Sequence, residues 1–138
     1  HLTMFETRLQ TYWADCDAAG IVYYSHFFRF VEFAEEDLFR RCGRERHELL
    51  DENQVWLPRV ESSARFLKPI YVGDAILVRL TVEFEGLKTI KCSFEVVNDE
   101  SGNLLSEGYV KIVCVDRGTF ESTELPDPIR SVFKQADN

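Results

Sequence analysis

The sequence lacks the features that a nucleic-acid-binding or membrane protein needs. Lys and Arg together number 16 against 24 Asp and Glu, so the formal net charge is −8. A surface for nucleic acid or for an anionic membrane needs an excess of positive charge. No apolar run approaches the roughly 20 residues of a membrane-spanning helix, and HLTMFETRLQ at the start has no signal-peptide pattern. We therefore expect no nucleic-acid partner, no membrane span and no leader.

The cysteines also lack a pattern. None of the four forms a Cys-x-x-Cys pair, and their spacing fits neither a zinc site nor a disulfide framework; they are Cys16, Cys42, Cys92 and Cys114. Cys92 and Cys114 lie in alternating apolar stretches, which is typical of small buried side chains. Cysteine usage of this kind is typical of the reducing cytoplasm, where we expect the protein to be located.

What the chain does have is a set of strand and helix patterns. Strands are predicted in five stretches, at residues 4–13, 57–70, 76–84, 90–96 and about 104–116. Short polar turns separate the last three, so we expect an antiparallel meander. Apolar residues recur at helical spacing from Phe27 to Leu38, after Ser25 as a candidate N-cap and before a Cys42–Gly43 stop.

Two further segments complete this prediction. We expect a polar connection between the helix and the next strand, and a short helix in LPDPIRSVF near the end. One helix with a broad apolar surface beside one sheet predicts an α+β fold in which a curled sheet surrounds a central helix.

The loop before the helix, DCDAAGIVYYSHF, allows three interpretations. A calcium loop starting at Asp15 is disfavoured because Ala19 and His26 stand where oxygen ligands are needed. Acids in such loops commonly form caps or Asx-turns. A carboxylate beside the unpaired amides of a helix start, near Tyr24, would also suit acyl transfer. The residues themselves do not rank Asp15 against Asp17.

The run D-C-D-A-A-G-I-V-Y-Y-x-x-F-F-R-F resembles the hotdog-fold acyl-CoA thioesterases of the 4-hydroxybenzoyl-CoA thioesterase type and their Tol–Pal-associated relatives. The likeness continues through LPRVESSARFLKPIYVGD and LKTIKCSFEV to VCVD. It implies one hotdog domain over 1–138, with its core at about 5–117 and a short C-terminal extension. It also implies acyl-CoA hydrolysis with no separate cofactor, since coenzyme A is part of the substrate. Family members pair sheets edge to edge, so we expect a homodimer or homotetramer with active sites at the subunit interface.

The resemblance also implies roles for individual residues. Asp17 becomes the catalytic carboxylate, as nucleophile or general base, and the Tyr24 N–H polarises the thioester carbonyl. Two alternatives stay open, a non-catalytic acyl-CoA-binding module and a hotdog hydratase or dehydratase. The second usually needs a histidine paired with an acid, and none of His1, His26 and His47 shows that pattern in sequence. We expect His26 to be structural.

The substrate contacts are predicted in two groups. Candidates for binding coenzyme A are Lys88 and Thr89, at a strand start where relatives carry a similar pair, with Arg65, Lys68 and Lys91 as further cations. Candidates for the acyl pocket are Phe27, Phe28 and Trp56 as walls and Glu32 as a polar contact. Such bulky walls predict an aromatic or short-to-medium-chain acyl group.

Overall fold

The structure, a computed structural model, describes residues 3–134. Its elements are β1 (Thr3–Gln10), a 3₁₀ turn (Trp13–Asp15), α1 (His26–Arg41), α2 (Arg46–Asn53), β2 (Val55–Trp56), β3 (Arg59–Phe66), β4 (Ala75–Glu85), β5 (Thr89–Asn98), β6 (Leu104–Val113), β7 (Val115–Asp116) and α3 (Asp127–Lys134). Five strands form one antiparallel sheet in the order β1-β4-β5-β6-β3. The predicted meander is confirmed as β4-β5-β6.

The sheet buries one face against α1. Alternate residues of β4 are buried, namely Ile76, Val78, Leu80 and Val82. Leu80 is paired with Phe94 of β5, which is also buried. α1 packs on β4 and β1, because its apolar residues recur every three or four positions and so lie on one side.

The ends of α1 follow the sequence closely. Ser25 occupies the N-cap position, although its side chain makes no capping hydrogen bond. Cys42 is the C-cap, and Gly43 has a φ of 84°, a left-handed conformation that glycine adopts without a Cβ penalty. The apolar surface of α1 is not fully covered, since Phe33 is 48% exposed.

We expected a polar connection after α1, but the structure shows that it is not simply polar. It contains α2, which begins with a reciprocal capping box between Glu45 and Glu48. Leu49 and Leu50 are the buried residues of α2. Two adjacent leucines give no helical period, so the sequence pattern was too weak to reveal this helix.

The helix predicted near the end of the chain is confirmed as α3. It packs on both α1 and α2, and the Phe133 ring lies edge-on to Phe39 with centroids 5.6 Å apart. Ile129 and Phe133 are fully buried. The buried core therefore continues past residue 117, the end that the family resemblance implied for it.

β3 is one of the two edge strands of the sheet, at the end opposite β1. It pairs with β6 on one side only, and every residue except the half-buried Ala64 is exposed. Gly108 of β6 lets β3 approach closely, because a Cβ there would lie 2.0 Å from the Ser63 carbonyl oxygen. An exposed edge strand of eight residues is a ready template for pairing with another chain.

Candidate active site

Asp15 is a structural residue of the loop. It is 4% exposed. Its Oδ2 accepts the Tyr12 N–H at 2.9 Å, and its Oδ1 accepts Arg29 Nη1 at 2.9 Å. Its carbonyl oxygen accepts the Tyr23 N–H at 3.0 Å. Asp15 thus fastens the 3₁₀ turn to the first turns of α1.

His26 lies beside Asp15, with Nδ1 3.3 Å from Oδ1. The sequence pattern does not reveal this histidine–acid pair, so the expectation that no histidine is paired with an acid was wrong. Neither His26 nor Asp15 lines the cleft that contains Asp17, and Asp15 is shared with Arg29. The pair therefore does not favour hydratase chemistry at that cleft.

Asp17, in contrast, presents its carboxylate to solvent. Its Oδ1 accepts the Ala19 N–H at 2.8 Å, as in an Asx-turn. Gly20, with a φ of 78°, donates its N–H to the Asp17 carbonyl oxygen at 3.0 Å. No donor among residues 3–134 bonds to Oδ2. One carboxylate oxygen is therefore held in place while the other is available for chemistry.

Tyr24 lies at the start of α1, two residues before its first helical residue. The N–H of Tyr23 is taken by Asp15 and the N–H of His26 by the Tyr23 carbonyl oxygen. Within the described part of the chain, the Tyr24 N–H has no acceptor. An unpaired amide at a helix start is suited to stabilising negative charge on an oxygen.

Asp17 and Tyr24 line the same cleft, which has a volume of about 410 Å³. Phe27 and Phe66 form part of its wall, with ring centroids 4.9 Å apart and ring planes at 70°. Lys68 also lines it. The structure therefore brings together a carboxylate, an unpaired amide, an aromatic wall and one cation.

A second cavity, of about 190 Å³, lies farther along α1 and contains two of the predicted acyl-pocket residues. It is lined by Phe28, Val31, Glu32, Glu35, Arg59, Ser62, Cys92 and Val110. Burial raises the pKa of the Cys92 thiol to about 12, and the Glu35 carboxylate adds to that rise while Arg59 opposes it. Cys92 is therefore a neutral part of the wall.

Glu35 is the residue of this cavity that the sequence did not single out. It is 2% exposed, and its Oε2 accepts both Arg46 Nη1 at 2.5 Å and Arg59 Nη2 at 2.6 Å. Its position on the apolar side of α1, next to Ala34, was the available signal. Glu32 bonds to Arg46 at 3.4 Å.

The remaining predicted contacts do not line the Asp17 cleft. Arg65 and Lys91 line a shallow depression with Tyr109, over whose ring Lys91 Nζ lies at 4.8 Å. Thr89 is the first residue of β5, as predicted, and Lys88 immediately precedes it. Trp56 stacks under the Arg117 guanidinium at 3.8 Å.

Two kinds of feature are absent from the part of the chain that the structure describes. Between residues 3 and 134, no cluster of three or more His, Cys, Asp or Glu side chains has an arrangement that could hold a metal ion. In the same part of the chain, no helix combines the length and apolarity needed to cross a membrane.

The fold recurs in a solved structure, and the sequence is similar to those of named proteins. The chain superimposes on Slr0204, a 1,4-dihydroxy-2-naphthoyl-CoA thioesterase from Synechocystis, with a TM-score of 0.89, 27% identity and coverage of 95% of this chain and 96% of that one. The 1,4-dihydroxy-2-naphthoyl-CoA hydrolase of Thermosynechococcus vestitus is 29% identical over 91% of this chain and 85% of its own length. The acyl-CoA thioester hydrolase YbgC of Escherichia coli is 26% identical over 96% of this chain and 98% of its own.

These similarities place the molecule among the hotdog-fold thioester hydrolases. The model of the thioesterase-like superfamily matches residues 11–133. The chain belongs to that superfamily. The family, the α+β hotdog fold and the enzyme class predicted from the sequence are thereby confirmed.

Proposed function

We propose that this protein hydrolyses an aromatic or short-to-medium-chain acyl-CoA to the free acid and coenzyme A, with the chemistry at the Asp17 cleft. The observation that carries the proposal is that one cleft contains two groups without a partner. They are Asp17 Oδ2, which has no donor from the described residues, and the Tyr24 N–H, which has no acceptor among them. The names of the relatives favour an aromatic acyl group, since two of them act on a dihydroxynaphthoyl thioester.

The roles follow from what each group offers. The Tyr24 N–H donates to the thioester carbonyl oxygen and stabilises the negative charge that develops on it. Asp17 either attacks the carbonyl carbon, forming an anhydride that water cleaves, or takes a proton from the attacking water. In both routes the carbon–sulfur bond breaks, and the coenzyme A sulfur leaves and takes up a proton.

We further propose that the active molecule is a homodimer or a homotetramer, assembled through β3. This strand has an unpaired edge and exposes Val60 to 59%. Lys68 is the cation at the cleft of its own chain. Lys88, Thr89, Lys91 and Arg65 lie outside that cleft, and we propose that a second subunit supplies them to its coenzyme A. A cytoplasmic location stays a prediction.

The experiment is a thiol-release assay with benzoyl-, 4-hydroxybenzoyl-, hexanoyl- and palmitoyl-CoA. We expect the highest kcat/KM for an aromatic or short-to-medium chain. A clear preference for palmitoyl-CoA would contradict the compact aromatic cleft, and tight binding of every acyl-CoA without thiol release would indicate a binding module.

Assembly is tested on the same protein by light scattering at micromolar concentration. We expect a dimer or a tetramer. Val60→Lys adds a charge to the open edge of β3 and should give monomers, whereas Val60→Thr should not. A wild-type monomer with full activity would refute the proposed assembly.

A further inference from the structure

We propose that His26 is a positioning residue for the amide that polarises the thioester. Its side chain acts through Asp15 and holds the Tyr24 N–H in the direction that the reaction needs. The inference rests on the proposed hydrolase function. It gives His26 no direct part in the chemistry, because His26 does not line the cleft that contains Asp17 and Tyr24.

The direction of the Tyr24 N–H is set by the peptide unit that joins Tyr23 to Tyr24. A trans peptide unit is planar, so its C=O and its N–H point in opposite directions. The Tyr23 carbonyl oxygen accepts the His26 N–H at 3.0 Å. This bond fixes the carbonyl group, and the Tyr24 N–H must therefore point away from the His26 backbone.

Asp15 holds both ends of the segment that contains this peptide unit. The Tyr23 N–H donates to the Asp15 carbonyl oxygen at 3.0 Å. At the other end, His26 Nδ1 lies 3.3 Å from Asp15 Oδ1. A carboxylate only accepts hydrogen bonds, so this bond requires the imidazole proton on Nδ1. The main chain of Asp15 thus holds the first residue of the segment, and its side chain holds the last.

The start of α1 lacks the usual means of fixing a helix terminus. Ser25 occupies the N-cap position without a side-chain capping hydrogen bond, and the first turn contains no acidic residue. A capping side chain normally accepts from the first N–H groups of a helix. Here the buried carboxylate of Asp15, which also accepts the Tyr12 N–H at 2.9 Å, supplies the attachment from the preceding loop.

Two other groups face His26, and neither replaces it. The Tyr23 ring lies edge-on to the imidazole, with centroids 6.5 Å apart. Arg29 donates to the same oxygen of Asp15 at 2.9 Å, but it lies almost one turn farther along α1, and its side chain is 66% exposed against 31% for His26. Arg29 therefore compensates the charge of Asp15, while His26 attaches the segment that presents Tyr24. This attachment needs a donor and not a second positive charge.

The first test compares two substitutions of His26 in the thiol-release assay. His26→Leu removes the donor and keeps a bulky side chain, whereas His26→Asn places a neutral N–H one bond beyond Cγ, where Nδ1 is now. We expect His26→Leu to lower kcat and kcat/KM equally, by about 3- to 10-fold, as for an interaction made only in the transition state. Deleting an oxyanion donor outright costs about 100- to 1,000-fold, and misalignment should cost less. His26→Asn should keep kcat within about 2-fold of wild type.

His47→Leu is the matched control, because His47 is an exposed histidine on α2. It should leave kcat and KM unchanged. Wild-type kcat in His26→Leu would overturn the proposal. So would a loss in His26→Asn as large as that in His26→Leu, because the imidazole itself would then be needed.

The second test measures the Tyr24 amide directly, without substrate, by ¹⁵N relaxation on deuterated protein. We expect an order parameter near about 0.85 for Tyr24 in wild type and in His26→Asn, and a fall toward about 0.6 in His26→Leu. The amide of Phe94, in the middle of β5, is the internal reference and should not change. A Tyr24 order parameter that His26→Leu leaves unchanged would overturn the proposal.

The two proposals fail separately in these experiments. Absence of thiol release by wild type would refute the hydrolase function, and the order parameter of Tyr24 would still decide whether His26 holds the segment. Thiol release by wild type, with equal kinetics and equal Tyr24 order in His26→Leu, would refute the positioning role alone.

Discussion

Replacing Asp15 and Asp17 separately by asparagine should have different effects. Asp15→Asn should mainly lower stability, and Asp17→Asn should mainly lower activity. Asp15 is buried and accepts the Tyr12 N–H with a full charge, an interaction worth about 1.5–3 kcal/mol. Its pair with the largely exposed Arg29 adds about 0.2–1 kcal/mol at most. Asparagine has one acceptor oxygen for these donors, so Asp15→Asn should lower the free energy of unfolding by about 2–3 kcal/mol.

For a chain of this length, that loss corresponds to a fall in Tm of about 6–12 °C. Asp17→Asn should leave Tm nearly unchanged, because the amide oxygen still accepts the Ala19 N–H that Oδ1 accepts now. It should lower kcat by at least about 100-fold, since the proposed nucleophile or base is gone. Asp15→Asn should lower kcat less than about 10-fold.

The assays are thermal unfolding and thiol release on the same preparations. Asp99→Asn is the control for loss of a surface carboxylate, because Asp99 pairs with the exposed Arg8. It should change Tm and kcat little. Near-normal turnover in Asp17→Asn would remove Asp17 from the mechanism. A large catalytic loss in Asp15→Asn at an unchanged Tm would show that the assignment of the two acids is reversed.

Three further predictions concern the scaffold. Gly108→Ala should destabilise the fold by about 1–3 kcal/mol in urea and weaken the proposed dimer, because the new Cβ would collide with the Ser63 carbonyl oxygen. Gly118→Ala, whose Cβ would lie 3.3 Å from a side-chain oxygen, should cost less. Cys92 keeps its proton in the fold up to about pH 12, whereas the unfolded chain loses it near the ordinary thiol pKa of about 8.5. The free energy of unfolding should therefore fall between these values by up to about 1.4 kcal/mol per pH unit, and Cys92→Ala should show a shallower fall; parallel curves would refute this. Phe133→Ala should cost about 3–5 kcal/mol, and a cost under 1 kcal/mol would show that α3 is not part of the core.

The sequence predicts the elements that bury a regular face. β4, β5, β6 and α1 were predictable because their apolar residues repeat every two or every 3.6 positions. α2 was not, since Leu49 and Leu50 are its only buried residues.

Only part of the candidate site could likewise be predicted from the sequence. The residues of the loop at 15–24 do not rank Asp15 against Asp17, and only the family resemblance points to Asp17. Burial separates the two acids physically, and burial is a property of the folded loop. The cluster of Glu35, Arg46 and Arg59 joins three separate segments. A local pattern marks Glu35 alone, on the apolar side of α1, and could not reveal its two arginine partners.

Two arginines on one oxygen of Glu35 also bear on how such an enzyme can diverge. A buried carboxylate that loses its only cation is strongly destabilising. Here Arg46 alone still compensates the Glu35 charge when Arg59 is exchanged. Substitutions at position 59 should therefore be tolerated by the fold, because the Glu35 charge keeps one cation. The same holds for position 46 as long as Arg59 is present, so either arginine can change but not both together.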